Sequence, residues 1–575
     1  MAGHERAAFQ HAPVLLLAVA VGLSFGLCYG LANHNTYLLY PLRELDPEFL
    51  RYDWLAAQTT AYHRNFALLI ELLASLGPAP WMIAGANVAL VAALMLTIYS
   101  FLYRHYRRDA LVAIPLLMCF VLLEKTRSVA SSHILTSILE PSSVAASAVV
   151  IGLLLLLAER YFWSGVLVAI GGFFHTNFLL LDFVFFGLVH LVLGREDIAR
   201  RLCLQLGPSV AVLLFEFPML YAMATDPLGG EARDIFQFIR SPHHYVPRNH
   251  LADFIPFAGW HLLAMSCLEL KSPEARISSR LAKVYAVFFA LVMTATVLTT
   301  VIYIPFVSQL FFWRMAPFSV LLAQLIIITR IAPYFTAGTE RETGKGFNWQ
   351  WVLAAAGSGL ILIHHGSRVQ PTEVGLLQVN GIYVVIAIVT LFAYVLLARG
   401  KTRRYLTMLP PLLVPLGLVV MGLGFSAAPA YKASNVLHGL SAPKQELFQW
   451  AQSTAPDAQF LIPPSLKSFR LHAARAVVVD WKSTPIKPAE LIEWYRRLGR
   501  VSGDPEVRNL IEADAGYRRM DQSRLASLAR EFEIDYAVFE QPFDARQLQA
   551  EVAFTNKRYL VLKPGATSED SARQE

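Results

Sequence analysis

The sequence predicts a polytopic α-helical membrane protein that ends in a small α/β domain. Of its 575 residues, 55% are hydrophobic and only 16% are charged. Apolar runs of about 20 residues, the length that spans the hydrocarbon core of a bilayer, recur through most of the chain. Near residue 430 the long apolar runs give way to short ones, which is typical of strands alternating with helices. We therefore divide the chain into a membrane domain, 1–429, and a tail, 430–575.

The membrane domain is predicted to cross the bilayer about 13 times. Its first apolar run, 13–31, lacks a small-residue cleavage site, so we interpret it as an anchor and not as a removed signal peptide. The stretch 161–193 is compatible with two short helices or one long broken helix, and 66–76 is too short to span. The other predicted spans are 81–103, 110–124, 143–158, 162–178, 180–193, 204–222, 254–270, 281–304, 315–334, 349–365, 380–398 and 407–425.

The charge distribution predicts the topology. The formal net charge is +7, and the basic clusters 104–108, 195–201, 271–283 and 399–404 lie in short connections between apolar runs. This is the pattern of cytoplasmic loops, so it indicates a cytoplasmic amino terminus and, after an odd number of crossings, an outer tail. We expect a multi-pass protein of the bacterial inner membrane with a periplasmic or extracellular tail, and no nucleic-acid partner.

The cysteines indicate neither a disulfide framework nor a zinc site. All of them fall inside or beside apolar runs and are interpreted as small buried hydrophobic residues. They are Cys28, Cys119, Cys203 and Cys267.

The first outer loop, 32–80, concentrates acidic residues. Carboxylates just outside a membrane helix can hold a divalent cation, or can deprotonate an acceptor for attack on a donor. The alternative is a solvated loop whose acids meet water or neighbouring arginines. Asp46 is the first candidate, because Pro47 restricts its backbone and so fixes the direction of its side chain. The four acids are Glu44, Asp46, Glu48 and Asp53.

Two further outer loops carry candidate ligands. In 124–140, Glu140 could join Asp46 and Glu48 at a metal such as Mg²⁺ or Mn²⁺, and two basic residues could bind a phosphate; the alternative is snorkelling at the interface. In 223–253, adjacent histidines lie between prolines and, in an extended chain, would point apart as separate ligands or loop anchors. Similar Pro-His-His-Tyr segments occur in uncharacterised bacterial membrane proteins of this layout. The residues are Lys125, Arg127, His243, His244 and Arg248.

Three ionisable residues fall within the predicted spans or at the edge of one, where each needs a partner or a cavity. Arg314 lies near the outer mouth of its helix, where it could bind a lipid-linked phosphate. His175 and Asp182 are seven residues apart, so one continuous helix would place them on the same face, and we expect a buried pair.

The tail is predicted to contain strands near 459–462, 476–479, 536–539 and 559–562, with helices at 488–498 and 523–532. Arginine suits phosphate and carboxylate groups, and tryptophan faces suit sugars, so a cluster in the tail could contact an acceptor. The alternative is a domain held by ion pairs around a tryptophan core. The cluster comprises Arg470, Arg475, Trp481 and Lys482.

Two motifs resemble a known family. The run 43–52, which contains Asp46-Pro47, resembles the Asp-Pro-containing first outer loop of the catalytic subunit of oligosaccharyltransferase, a membrane glycosyltransferase of the GT-C superfamily. The segment 446–462 is similar to the helix, Thr-x-Pro turn and strand that open the outer domain of that family. The resemblance implies a GT-C-like layout and makes Asp46 the match to the catalytic acid, with Asp53 as the nearby alternative.

The chain also departs from that family. Residues 463–467 read Pro-Pro-Ser-Leu-Lys, where oligosaccharyltransferases carry the acceptor motif Trp-Trp-Asp-Tyr-Gly, and the second outer loop has no DxD or DxE. The resemblance thus supports the superfamily but not asparagine glycosylation.

The sequence therefore predicts an inverting membrane glycosyltransferase that moves a sugar from a polyprenyl-phosphate donor to an outer glycan, lipid or protein. The expected partners are these substrates and membrane lipid. The expected cofactor is a divalent cation, which the acidic residues would suit. The alternative is a non-catalytic or transport role in glycan or lipid export. Motifs for nucleotide-driven chemistry, such as GxxxxGK[ST], are missing from the sequence, which fits a donor already activated by its lipid phosphate.

Overall fold

A computed structural model shows two compact units. It describes residues 14–23, 25, 27–61, 63–123, 129–246, 253–268, 274–336, 440–544, 548 and 550–565. The first unit, here called the helical unit, is drawn from 1–26, 86–216 and 243–429, and the second, the α/β unit, from 27–85, 217–242 and 430–575. All structural statements below concern the described residues of these two units.

The protein is mostly helical, and many of its helices are strongly apolar. In the described part of the chain, five segments are long and apolar enough to cross a membrane: α6 (Ala79–Tyr106), α10 (Thr176–Leu193), α11 (Ile198–Ala224), α15 (Ala275–Thr300) and Val307–Pro333, which includes most of α17 (Ala316–Thr336). Shorter apolar helices are α1 (Val14–Leu23), α8 (Pro141–Leu157), α9 (Tyr161–Phe174) and α14 (Phe254–Cys267). The remaining helices of the helical unit are α7 (Ala110–Leu123), α13 (Pro242–Tyr245) and α16 (Pro305–Leu310).

Hydropathy located the helices well wherever the structure describes them. Each predicted span as far as 315–334 coincides with one of these helices. The last three predicted spans, 349–365, 380–398 and 407–425, lie outside the described residues, as does the basic cluster 399–404. The count of about 13 crossings therefore stays a prediction.

The stretch 161–193 forms two helices that fold back on each other. The chain leaves helical geometry at His175, whose φ of −149° and ψ of 99° are extended. Gly172 of α9 faces Leu179 of α10 so closely that a side chain there would collide with it. At the far ends of the two helices, the rings of Tyr161 and His190 lie 5.4 Å apart. This antiparallel hairpin selects the two short helices over one long broken helix. The expected buried pair of His175 and Asp182 does not form, since His175 contacts Arg314 and the Asp182 carboxylate has no hydrogen-bond partner among the described residues.

Basic residues gather at one end of the helical unit. The hydroxyl groups of Tyr106 and Ser278 lie 3.2 Å apart and join the end of α6 to the start of α15. Nearby on α15, Arg280 donates to the Leu156 carbonyl at 2.8 Å and to the Tyr161 hydroxyl at 3.2 Å. Parts of the clusters 104–108 and 271–283 therefore lie at the same end of the helices.

The α/β unit is built around a five-stranded mixed sheet. Strands β2, β1 and β3 run parallel, β5 pairs antiparallel with β3, and β4 forms the far edge, so the order is β2-β1-β3-β5-β4. This confirms the predicted sheet in the tail. The strands are β1 (Gln459–Leu461), β2 (Ala476–Val477), β3 (Tyr536–Glu540), β4 (Ala550–Thr555) and β5 (Tyr559–Pro564).

Helices from three stretches of the chain complete the α/β unit. The first stretch gives α2 (His34–Tyr37), α3 (Leu39–Leu45), α4 (Trp54–Gln58) and α5 (Arg64–Ser75), and the second gives α12 (Gly229–Asp234), followed by a π-helical turn at Ile235–Arg240. The tail gives α18 (Ala442–Gln452), α19 (Phe469–Ala473), α20 (Pro488–Ser502), α21 (Leu510–Arg518) and α22 (Gln522–Phe532).

One hydrophobic core joins these stretches. Ala232 and Ile235 belong to the same buried cluster as Trp494 and Leu498 of α20, and Trp54 packs against its edge. Burial of such apolar surface contributes about 25 cal/mol per Å². Residues 27–85 and 217–242, which include the loop 32–80 and part of the loop 223–253, are therefore part of the folded α/β unit together with the tail.

Candidate functional site

Asp46 lies at the end of α3 with its side chain exposed to solvent. The residue leaves the helix with φ −133° and ψ 96°, the extended geometry expected before Pro47. One carboxylate oxygen, Oδ1, accepts a hydrogen bond from the Glu48 amide at 3.1 Å, and the Asp46 carbonyl accepts one from the Phe49 amide at 2.9 Å. The carboxylate thus has a defined direction and remains open to a ligand.

The ends of the Asp46 loop are tied to each other. Arg43 of α3 donates from Nη1 to the Ala56 carbonyl of α4 at 3.1 Å. Between them, Leu50 is only 3% exposed and adopts a left-handed φ of +53°. A leucine in that conformation is strained unless packing holds it, so its burial indicates that the loop is firmly fixed.

Asp53 fixes the far end of the loop from inside the α/β unit. It caps α4, with Oδ1 accepting from the Ala56 amide at 2.9 Å. Its Oδ2 accepts from the Val477 amide at 3.0 Å and from Nε of Arg470 at 2.7 Å. The side chain is fully buried. This geometry assigns Asp53 to the framework of the loop, and its predicted catalytic role has no support in the described structure.

Arg470 links Asp53 to a second buried carboxylate. Its guanidinium pairs with Asp480 through Nη1 and donates from Nη2 to the Val477 carbonyl at 3.1 Å. Burial opposes its charge, but Asp53 and Asp480 outweigh that effect and raise the pKa of Arg470 above its ordinary value. Only 1% of the residue is exposed, so contact between Arg470 and an acceptor is not supported. Asp53, Arg470 and Asp480 are here called the buried triad.

Asp480 is held from several sides. Its Oδ1 accepts from the amides of Lys482 and Ser483, each at 2.7 Å, and the indole of Trp494 donates to its carbonyl at 2.9 Å. The sequence reasoning did not single out Asp480. The available signal was a carboxylate directly after a buried run, Val477-Val478-Val479, at the carboxyl end of a parallel strand.

The other predicted acceptor residues have partners within the α/β unit. Arg475 donates from Nη2 to the carbonyls of Gln452 and Thr454, both at 2.6 Å, so it stabilises the end of α18. The rings of Trp481 and Trp494 lie 6.0 Å apart, and the Lys482 carbonyl accepts from Arg240 at 2.7 Å. Since Trp481 and Lys482 are only partly buried, acceptor binding remains a prediction for them.

The predicted metal ligands do not form a metal site in the described structure. Glu48 pairs with Arg51 at 3.0 Å on the surface of the α/β unit. In the helical unit, buried Glu140 precedes α8, and its Oε1 accepts from the Ser142 hydroxyl at 2.9 Å. Over the described ranges, no group of three or more His, Cys, Asp or Glu residues is placed to hold a metal ion. The described geometry therefore gives no support to a step through a divalent cation.

The adjacent histidines lie on a short helix, α13, and not on an extended chain. Their ring centroids are 4.1 Å apart, so the expectation that His243 and His244 point apart is wrong. Nδ1 of His244 lies 2.8 Å from the Ala130 carbonyl. His244 also lines a cavity of about 10 Å³ beside Phe311, which has room for about one water molecule. His244 therefore acts as a loop anchor in this structure.

Arg314 contacts His175 at the turn of the α9–α10 hairpin. Its Nη1 lies 3.0 Å from Nε2 of His175, and its guanidinium lies 5.5 Å from the ring centre of Phe178 and 4.9 Å from that of Phe311. The arginine remains partly exposed. The other predicted phosphate ligands, Lys125, Arg127 and Arg248, lie outside the described residues.

Contacts between the tail and the segment 30–60 were also missed by the sequence reasoning. Glu490 of α20 accepts from the Thr60 amide at 3.0 Å and from the Thr60 hydroxyl at 2.8 Å. Nε2 of His472 lies 3.1 Å from the Gly30 carbonyl. These pairs are more than 400 positions apart in sequence, and no local pattern marks them.

A comparison with known families matches one part of the α/β unit. Residues 442–501 match a family model described as a domain of unknown function, DUF6798. The matched region runs from α18 into α20 and includes Arg470 and Asp480 of the buried triad. The chain matches no curated protein.

Proposed function

We propose that the protein is an integral membrane glycosyltransferase of the GT-C type. It moves a sugar from a polyprenyl-phosphate donor to an outer glycan, lipid or protein. The observation that carries the proposal is Asp46: an exposed carboxylate on a loop that is tied across its base by Arg43 and anchored by the buried triad. Fixed, reachable carboxylates are suited to proton transfer during group transfer.

The chemistry assigned to Asp46 is that of a general base. The acceptor hydroxyl gives its proton to the carboxylate and attacks the anomeric carbon of the donor sugar. The bond from that carbon to the lipid phosphate breaks, the phosphate leaves with the bonding electrons, and the configuration inverts. The α/β unit supplies the position of the base, and this step requires no nucleotide.

Arg314 is the proposed ligand of the donor phosphate. Its guanidinium is partly exposed and oriented by His175 and two aromatic rings. Arginine binds phosphate oxygens through a planar pair of donors, which lysine does not offer. The helical unit therefore contains a cationic group suited to the donor headgroup.

Replacing Arg314 with glutamine is expected to raise the KM for the polyprenyl-phosphate donor by about tenfold or more, because a charged hydrogen bond contributes about 1.5–3 kcal/mol. Steady-state transfer assays over a range of donor concentrations measure this change. Arg276→Gln is the matched control, since that arginine is 77% exposed and pairs with Glu159 at the opposite end of the helical unit. Equal donor KM values in both variants would contradict the assignment.

The proposed topology has about 13 crossings, a cytoplasmic amino terminus, and the tail on the outer side of a bacterial inner membrane. It is supported by the basic residues gathered at one end of the helical unit, including Arg276 and Arg280, because such residues favour the cytoplasmic side.

Reporter fusions test this topology. A green fluorescent protein fused after Arg108 should fluoresce, and alkaline phosphatase fused after Phe425 should be active, because these sites are assigned to the cytoplasm and to the outer side. Reciprocal fusions serve as controls and should be inactive. The same compartment for both sites would contradict the topology.

One observation favours the alternative, a transport role. Asp182 of α10 is fully buried, and neither of its carboxylate oxygens has a hydrogen-bond partner among the described residues. Ionisable groups within membrane helices often belong to ion or proton pathways. A transport function predicts that Asp182→Asn abolishes flux, whereas the glycosyltransferase proposal predicts that sugar transfer continues.

A further inference from the structure

Helix α5 presents an apolar stripe on its exposed side. Leu68, Leu72 and Leu76 follow one another at four-residue spacing, so they line one face from the second turn of α5 to the residue that caps its carboxyl end. Their exposed fractions are 56%, 57% and 66%. Three large exposed side chains in one row are unusual on a water-facing helix, where apolar residues normally occur singly.

The stripe is not needed for the core of the α/β unit. A different face of α5 supplies the buried residues Phe66, Ala67 and Ile70, and α5 packs against α3. The exposed leucines therefore lack a structural reason within the described part of this unit.

The segment that follows α5 in sequence indicates what covers the stripe. Only Gly77 and Pro78 separate Leu76 from α6, a helix long and apolar enough to cross a membrane. A connection this short spans roughly 10 Å at most. Trp81, in the first turn of α6, is 54% exposed, and tryptophan is enriched where membrane helices meet the headgroup region. The stripe is thus held at the level where α6 enters the bilayer.

The polar residues of α5 fit the same location. Arg64 and Ser75 are exposed and Glu71 is partly exposed. By helical spacing, Arg64 and Glu71 lie beside Leu68, so the apolar stripe has a polar border. A helix of this kind lies in the plane of the interface, with leucines among the upper acyl chains and charges among the headgroups.

We propose that α5 is an interfacial helix. Its apolar face, formed by Leu68, Leu72 and Leu76, inserts into the lipid leaflet beside the start of α6. The ligand of this surface is the headgroup and upper acyl region of the bilayer. Because α3 packs against α5, this arrangement holds the Asp46 loop close to the membrane surface. The proposal does not depend on the glycosyltransferase function, because a transporter would show the same insertion.

Spin labelling of the full-length protein tests the proposal. Cys28, Cys119, Cys203 and Cys267 are replaced, and single labels are introduced by Leu72→Cys and by three reference changes. Ile511→Cys reports water, since Ile511 is 80% exposed on α21, and Leu214→Cys reports lipid, since Leu214 is 68% exposed on α11. Ala67→Cys, on the buried face of α5, reports a site covered by protein. The protein is reconstituted in phosphatidylethanolamine–phosphatidylglycerol vesicles.

The label at Leu72→Cys is expected to be nearly as accessible to oxygen as the label at Leu214→Cys. It should be much less accessible to an aqueous nickel chelate than the label at Ile511→Cys. Nickel accessibility equal to that of Ile511→Cys would overturn the proposal, because the stripe would face water. Low accessibility to both reagents, as at Ala67→Cys, would overturn it in favour of coverage by protein.

Discussion

Asp46→Asn is expected to leave the protein folded and inserted while lowering the rate of sugar transfer by about 10²- to 10⁴-fold, the usual effect of losing a general base. The amide keeps the shape of the side chain and the oxygen that accepts from the Glu48 amide, so the loop should keep its conformation. Turnover under saturating donor, measured on purified protein in vesicles, reports the effect as a fall in kcat.

Glu48→Gln is the matched control for this prediction. Glu48 is an exposed acid two residues from Asp46, and its partner is Arg51 on the same surface. Exposed pairs of this kind contribute about 0–1 kcal/mol, so the variant should retain nearly full activity. Near wild-type turnover in Asp46→Asn would remove the main support for the enzyme proposal and favour transport.

Arg470→Met is expected to destabilise the α/β unit by about 3–5 kcal/mol, because it leaves two buried carboxylates without their cation. Asp53 and Asp480 are both essentially inaccessible to solvent and cannot recover hydration in the folded state. Chemical unfolding of the purified protein measures the loss of stability. The readout is limited proteolysis, which cleaves between residues 440 and 565 once the α/β unit unfolds. Arg496→Met is the control, since Arg496 is 49% exposed in its pairs with Glu493 and Glu531.

A charge-balanced variant separates the effect of the unpaired charges on stability from the effect of lost packing. Adding Asp53→Asn and Asp480→Asn to Arg470→Met removes both unpaired charges, and asparagine can still cap α4. Part of the lost stability should return. Equal stability of Arg470→Met and Arg496→Met would contradict the role given to the triad. Asp53→Asn alone should also lower transfer, less than Asp46→Asn does, because it loosens the anchor of the loop.

The helices were largely predictable from their long apolar runs. A long apolar segment in lipid must satisfy its own backbone hydrogen bonds, and a helix does so. The tail strands β1, β2, β3 and β5 were predictable from short apolar runs. Strand β4 was missed because Ala550–Thr555 is an edge strand with exposed and half-exposed residues throughout, and α21 was missed because it is short and bears charged residues.

The site was less predictable than the fold. Asp46 was singled out because Pro47 acts locally on its backbone, and its role as a base stays a prediction. The anchor of its loop was not found, because Asp53 and Arg470 are 417 positions apart and only the sheet brings Val477 and Asp480 beside them. His175 and Asp182 were paired wrongly for a related reason: a single extended residue separates α9 from α10, and no proline marks the break.

The most direct test of the central claim is transfer of a radiolabelled sugar from a panel of polyprenyl-phosphate donors by the purified protein in vesicles, with a bacterial envelope fraction as acceptor. The account predicts that the wild-type protein releases polyprenyl phosphate and labels an acceptor, and that Asp46→Asn binds donor but forms neither product. Failure of the wild-type protein to consume any donor, or equal consumption by both proteins, would contradict it.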